Sequence, residues 1–163
     1  MRLKIKTIPV LQRFCKNDRG GTIAELAILI PFLAVMLAAV TEVGRFFQTY
    51  TTVSKSTRTA ARYLSNHAFT EDEQNKAKNL VVCGKLTECA ENERFVWNLT
   101  AANVCIESVG NPVDIVTVRI PRDAGDCGAP LPYKPVFDIG ALLHNSFSME
   151  FPISAGTTMW HRD

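Results

Sequence analysis

The chain has 163 residues, of which 47% are hydrophobic and 21% are charged, and its formal net charge is +2. This length allows one compact domain of modest size together with a membrane segment, and the small net charge argues against a nucleic-acid-binding protein. The charge is distributed unevenly. Residues 1–19 carry six basic side chains and one acidic side chain, whereas residues 45–163 carry 12 basic and 13 acidic side chains.

An apolar run follows this basic flank. Residues 23–43 contain only two charged side chains, Glu25 and Glu42, which stand near its two ends. About 20 apolar residues are needed to cross the hydrocarbon core of a bilayer, and a charge near its edge costs much less than one at its centre. The positive-inside rule puts the N-terminus in the cytoplasm. We therefore predict a basic cytoplasmic leader over residues 1–20 and a membrane-spanning helix over residues 21–44.

A cleaved secretory signal is the alternative, since such signals also place a basic region before an apolar one. The residues that follow Val40 offer no good cleavage site, and the apolar run is longer than the usual core of a signal peptide. A retained helix is therefore favoured. Pro31 is expected to kink it, because proline removes one helical hydrogen bond and crowds the preceding turn.

The helix is predicted to continue beyond the membrane over residues 45–66. Apolar or small side chains recur there every three or four residues, which is typical of one face of an amphipathic helix. This stripe is expected to pack on the protein's own domain, or in part on neighbouring subunits. Its members are Phe46, Tyr50, Val53, Thr57, Ala60 or Ala61, and Leu64.

Residues 67–163 are predicted to form a small α+β domain with a short antiparallel sheet. Thr70 and Glu73 form a capping-box pattern that predicts a helix start. Two alternating segments flank a Gly-Asn-Pro turn at residues 110–112 and predict a hairpin. Residues 147–155 alternate as one half-buried strand, in which Pro152 indicates an edge position. The proline-rich residues 121–138 are predicted to form a loop.

The cysteines agree with this topology. Cys15 lies in the basic flank, whereas the other four follow the apolar run, and an even number of cysteines in an oxidising compartment indicates disulfides. Three pairings are possible. We favour Cys83–Cys89 and Cys105–Cys127, because local closure is simplest and the second bridge would hold the proline-rich loop to a strand. A zinc site is the alternative, although the sequence has no C-x-x-C and no histidine at ligand spacing.

Catalytic motifs are not evident. The three histidines are scattered, and the sequence contains no nucleophile elbow, phosphate-binding loop, zinc-protease motif or dinucleotide fingerprint. We expect no enzymatic activity, no cofactor and no metal.

The start of the apolar run resembles the processing site of type IV pilin-like proteins, in which a prepilin peptidase cuts after a glycine and a glutamate occupies the fifth mature position. In this chain, a cut between Gly20 and Gly21 would make Glu25 the fifth residue. A cut after Gly21 would make Glu25 the fourth, so we prefer Gly20. The resemblance implies that the Glu25 carboxylate pairs with the new N-terminal amine of its own chain or of a neighbour.

Further motifs resemble the TadE-like family of tight-adherence (Flp-type) pilus assembly proteins. Pro31 stands six residues after Glu25, Glu42-Val43-Gly44-Arg45 matches the family's E-x-G-R at the helix exit, and residues 60–63 match its A-A-R-Y element. Leu26 departs from the phenylalanine that is common in the family. The similarity covers residues 19–64 well and the cysteine-bearing region more loosely.

The resemblance implies a processed pseudopilin in the bacterial inner membrane, with its C-terminal domain in the periplasm. Its implied partners are prepilin peptidase, other pilins or pseudopilins, the pilus assembly platform and membrane lipid, without nucleic acid or a small-molecule substrate. Two alternatives remain open. One is an unprocessed single-pass envelope protein with a periplasmic binding or sensor domain, and the other is a minor pseudopilin of a type II secretion system.

Overall fold

A computed structural model describes residues 18–124, 127–137 and 150–162. It has the predicted α+β architecture, in which one long helix precedes a small domain with antiparallel sheets. Residues 1–17 of the predicted leader, with Cys15, and His144 lie outside the described residues. The elements, with two short 3-10 turns at Glu91–Glu93 and Ala101–Asn103, are α1 (Asp18–Leu64), α2 (Glu71–Cys83), β1 (Cys105–Val109), β2 (Ile115–Ile120), β3 (Leu131–Tyr133), β4 (Phe151–Ile153) and β5 (Ala155–Trp160).

The chain divides into two compact units, Met1–Thr41 and Glu42–Asp163. Helix α1 contributes to both, because it runs without interruption for 47 residues. The division falls slightly before the predicted end of the membrane segment at residue 44. Its position reflects contacts that Glu42 makes within the second unit.

The predicted stripe on α1 packs on the second unit's own core. Val53, Ala60, Ala61 and Leu64 are fully buried, together with Thr57. Tyr50 was expected in the same stripe but is 40% exposed. The interpretation that the stripe packs on its own domain is therefore right for the part of α1 near its C-terminus, where α2 and the sheet cover it.

Helix α2 begins as its capping residue predicts. The Thr70 hydroxyl accepts a hydrogen bond from the Glu73 backbone N–H at 3.4 Å, and Gly84, at a positive φ of 73°, ends the helix in the left-handed conformation that glycine adopts easily. The reciprocal half of the predicted capping box is wrong. The Thr70 N–H donates to Ala68, while the Glu73 carboxylate accepts from Tyr63 and Lys76.

The predicted hairpin is present. Strands β1 and β2 pair in antiparallel register, with Cys105 opposite Arg119, and β5 joins the other edge of β2. Gly110 sits in the turn with a φ of 102°. Along β2, Val116, Val118 and Ile120 point into the core while alternate residues are only half-buried, which is the period of two expected for a strand with one covered face.

The C-terminal strand prediction needs correction. Instead of one strand over residues 147–155, the chain forms β4 and then β5, which belong to different sheets. The change of sheet occurs at Ser154, whose hydroxyl donates to the Ile120 carbonyl at 3.1 Å. Phe147 and Met149 lie outside the described residues, and Phe151, expected on the buried side, is half exposed.

The proline-rich segment also differs from its prediction as a loop. Residues 131–133 form β3, which pairs with β4 in a separate two-stranded sheet. Pro132 lies opposite Pro152 in this sheet. Proline lacks the N–H that a central strand must donate, so both prolines suit strands with one open edge, as was predicted for Pro152.

Two disulfides close the second unit. Cys83 pairs with Cys89 and Cys105 with Cys127, with Cα–Cα distances of 6.1 and 5.5 Å that fall in the usual range. This is the pairing that the sequence favoured. The first bridge begins at Cys83, the last residue of α2, and the second ties β1 to the segment that leads into β3.

Candidate functional site

The apolar part of α1 is exposed along most of its length. Every residue from 21 to 37 is exposed in the structure, and the large hydrophobic side chains there include Ile28 and Leu37. A continuous apolar surface of this length is too large for a water-facing helix. Among the described residues, α1 is the one helix long and apolar enough to cross a membrane. This helix therefore suggests a single-pass membrane protein.

Gly20 and Gly21 lie in the first turn of α1, because the helix begins at Asp18. A Cβ added at Gly21 would meet no atom within 4 Å. The described fold therefore leaves room for a side chain at position 21. The predicted processing role of these glycines stays a prediction.

Glu25 lies on the exposed apolar part of α1, one helical turn beyond Gly21. Within the described part of the chain, its carboxylate makes no hydrogen bond or ion pair. Residues four apart lie on the same face of a helix. An amine at Gly21 would therefore lie on the same side of α1 as the Glu25 carboxylate.

Pro31 lies inside α1. Its ring nitrogen carries no hydrogen, so the Ala27 carbonyl loses its usual helical donor. The helix continues on both sides of it. The predicted kink at this position stays a prediction.

Glu42 lies at the other end of the apolar run, and it is buried. Only 7% of its surface is exposed. Its carboxylate accepts hydrogen bonds from the Tyr133 hydroxyl and from the backbone N–H groups of Val136, at 3.2 Å, and Phe137, at 3.4 Å. We call these four residues the helix-exit clamp.

The helix-exit clamp joins α1 to the end of β3. Tyr133 is itself 8% exposed, and its ring meets the Phe46 ring edge to face with centroids 5.3 Å apart. Burial and the hydrogen bond to Glu42 raise the pKa of Tyr133 to about 12. The hydroxyl therefore keeps its proton and remains a donor to the Glu42 carboxylate at neutral pH.

The other residues of the predicted helix-exit motif are exposed. A Cβ at Gly44 would meet no atom within 4 Å, so the described fold does not require glycine there. Arg45 lines an open depression with Gln48 and Trp97. Within the Glu-x-Gly-Arg motif, only Glu42 is held by the fold.

The A-A-R-Y element at residues 60–63 also contributes a hydrogen bond from a tyrosine hydroxyl to a glutamate carboxylate. Ala60 and Ala61 face the core, and the Tyr63 hydroxyl donates to the Glu73 carboxylate on α2. Lys76 binds that carboxylate at 2.9 Å. We call Tyr63, Glu73 and Lys76 the helix-end clamp.

The helix-end clamp shifts the protonation of its members. The hydrogen bond to Glu73 raises the pKa of Tyr63. The hydrogen bonds from Tyr63 and Lys76 hold the pKa of the Glu73 carboxyl below its usual value. The Tyr63 ring also stacks on His67, with centroids 4.0 Å apart.

Sequence reasoning missed both clamps. It identified Glu42 as part of a motif but named no partner, and it assigned Tyr133, Val136 and Phe137 to a loop. A glutamate at the edge of an apolar run signals that its carboxylate needs hydrogen-bond donors. The sequence does not tell whether water, lipid headgroups or a distant tyrosine supplies them.

One group of side chains has the composition of a metal site. The side chains of Cys105, Cys127 and Glu107 lie close enough together to share an ion. However, the two cysteines are joined in a disulfide, and Glu107 accepts a hydrogen bond from Arg119 at 2.7 Å. Their ligand atoms are therefore already engaged.

The fold and the exposed helix define a class of protein in which one apolar N-terminal helix continues into a small disulfide-bonded α+β domain. Within this class, residues 20–62 match the family model of TadE-like protein. The resemblance to that family is confirmed for this segment, which is about a quarter of the chain. No curated protein and no solved structure matches the chain. The TadE-like segment suggests a protein associated with the tight-adherence pilus.

Proposed function

We propose that this chain is a membrane-anchored, pseudopilin-like component required for assembly of a tight-adherence (Flp-type) pilus. It acts through protein–protein contacts after a prepilin peptidase removes residues 1–20. The mature helix is held in the bacterial inner membrane, and the disulfide-bonded domain lies in the periplasm. Its partners are the peptidase, other pilins or pseudopilins and the assembly platform.

One observation carries this proposal. The TadE-like match begins at Gly20, which is the residue before the proposed cut, and the apolar surface of α1 is exposed directly after it. An unprocessed anchor would need the apolar surface but not the glycines or the glutamate at a fixed distance from them.

The proposed role of Glu25 follows from its surroundings. A carboxylate without a partner is costly near the hydrocarbon region of a membrane. After cleavage, the ammonium group of Gly21 would offer a partner of opposite charge. Pairing with the amine of a neighbouring subunit would set the axial register between two helices. The helices of incoming subunits would then be positioned before their domains make contact.

Mass spectrometry tests the processing step directly. The full chain is expressed with an active or an inactive prepilin peptidase, and the mature N-terminus is determined. We expect loss of residues 1–20 only with the active enzyme. A chain that keeps Met1 beside an active and matching peptidase would contradict the proposal and favour the unprocessed envelope protein.

The two glycines provide matched control variants. Gly20→Val is expected to block cleavage, whereas Gly21→Val is expected to leave the cut in place, because the enzyme must approach the backbone of the residue before the cut. The opposite result, together with loss of residues 1–21, would move the processing site by one residue. Pili are then counted on a strain that lacks the gene. A role in pilus assembly predicts the loss of pili, whereas a role in type II secretion does not.

A further inference from the structure

The end of the second unit that carries the helix-exit clamp exposes apolar side chains. Val136 and Phe137 are 56% and 48% exposed, and Trp97 is 68% exposed. Val43 and Phe47 on α1 are exposed as well. We call Trp97, Val136 and Phe137 the exit patch.

The exit patch lies beside the start of the part of α1 that belongs to the second unit. The backbone N–H groups of Val136 and Phe137 bind the carboxylate of Glu42, which lies in the last turn of the apolar run. A segment that hydrogen-bonds this carboxylate lies within a few ångströms of the helix exit. If the bilayer surface lies at Glu42, near the end of the apolar run, residues 136 and 137 therefore lie at that surface.

Trp97 lies beside the same segment. The Lys134 ammonium stands 5.7 Å from the centre of the Trp97 ring, and Asn98 donates to the Pro132 carbonyl at 2.7 Å. Trp97 also lines a depression with Arg45. A tryptophan next to two basic side chains is the composition found at membrane–water interfaces, where the ring lies at headgroup level and the cations meet phosphates.

We propose that the exit patch inserts into the headgroup region of the phospholipid bilayer, with Arg45 and Lys134 contacting lipid phosphates. The second unit would then have a lipid-binding surface of its own, separate from the membrane-spanning helix. This inference rests on the membrane anchoring in the proposed function. It adds that the second unit itself contacts the bilayer surface.

The chain offers a matched pair of fluorescent probes, since its only two tryptophans are Trp97 and Trp160. Trp160 lines a different depression with Arg62 and Ser65. Arg45 and Arg62 are separated by about 25 Å along α1 at the helical rise of about 1.5 Å per residue. Trp160 lies near the C-terminal end of α1, away from the exit patch, and therefore serves as the control probe.

The experiment uses the full chain in phosphatidylcholine vesicles at a high ratio of lipid to protein. Trp160→Phe leaves Trp97 as the single probe, and Trp97→Phe leaves Trp160. Brominated phosphatidylcholine is expected to reduce Trp97 emission about twofold or more, because the ring lies at headgroup level. Trp160 emission is expected to stay unchanged. Phe137→Trp in a background lacking both native tryptophans provides a second probe and should be quenched as well.

Three results would overturn the inference. Trp97 emission that brominated lipid leaves unchanged, in a chain that resists carbonate extraction, would show an anchored protein whose domain stands clear of the membrane. A blue-shifted Trp97 that lipid does not quench would show that a second copy covers the patch. A chain that carbonate extracts would remove the inference together with the proposed anchoring.

Discussion

Two glutamates lie near the ends of the same apolar run, and their surroundings in the structure are opposite. Glu25 lies on an exposed helical surface, with no hydrogen bond or ion pair within the described part of the chain. Glu42 is buried and accepts hydrogen bonds from Tyr133, Val136 and Phe137. A motif glutamate can therefore belong to the fold or remain available for a partner, and its sequence surroundings do not distinguish the two cases.

The largest effect on stability is expected from Glu42→Ala. The substitution removes the carboxylate that accepts hydrogen bonds from the Tyr133 hydroxyl and from the Val136 and Phe137 N–H groups, and a hydrogen bond to a charged group contributes about 1.5–3 kcal/mol. We expect the free energy of unfolding to fall by about 4 kcal/mol. Urea titrations of the full chain in detergent, followed by near-ultraviolet circular dichroism, measure it. Glu25→Ala is the control and should unfold like the wild type, and an equal loss in both variants would refute the contrast.

A slightly smaller effect is expected from the disulfide that leads into the helix-exit clamp. Cys105–Cys127 closes a separation of 22 residues and Cys83–Cys89 one of 6 residues. In the chain-entropy description, paired alanine substitutions should destabilise by about 3 and about 2 kcal/mol respectively. The same titrations compare them. A larger loss from the shorter loop would contradict this order.

The next effect is a dependence on alkaline pH. The pKa of Tyr133 is raised from 10.0 to about 12 in the folded chain, so the unfolded chain loses this proton first. The contribution of the Tyr133 hydroxyl is therefore complete below pH 10 and is lost as the pH rises toward 12. The difference in stability between wild type and Tyr133→Phe should shrink over this range. A difference that stays constant to pH 12 would contradict the raised pKa.

The smallest effect is expected at the helix-end clamp, which is less buried. Tyr63→Phe removes a hydroxyl from Glu73, but Lys76 still binds that carboxylate. The folded pKa of Glu73 lies below its usual 4.5, so the clamp contributes fully above pH 4.5 and loses its contribution as the pH falls below that value. Thermal unfolding of both chains from pH 7 to pH 3 should show a small difference that disappears in acid. A loss as large as that of Glu42→Ala would overturn the ranking.

Local signals in the sequence were sufficient for much of the fold. The exposed apolar helix, the Thr70 cap and the hairpin around Gly110 each depend on neighbouring residues, and periodicity or turn chemistry predicts them. The pairing of Cys105 with Cys127 was also favoured from sequence alone. These elements need no knowledge of how distant segments pack.

Contacts between distant segments could not be predicted. β3 is only three residues long and contains a proline, so its strand character comes from pairing with β4 and not from its own pattern. The division between β4 and β5 depends on which sheet each segment joins. The partner of Glu42 stands 91 residues further along the chain, and no local pattern in Tyr133 marks it.

Glu25→Gln tests most directly whether the exposed glutamate serves assembly while the buried one serves the fold. The variant is expressed in a strain that lacks the native gene, its thermal unfolding is compared with that of the wild type, and its pili are counted by electron microscopy. We expect unchanged unfolding, normal processing and few or no pili. A wild-type number of pili from correctly processed Glu25→Gln protein would contradict the electrostatic role of Glu25.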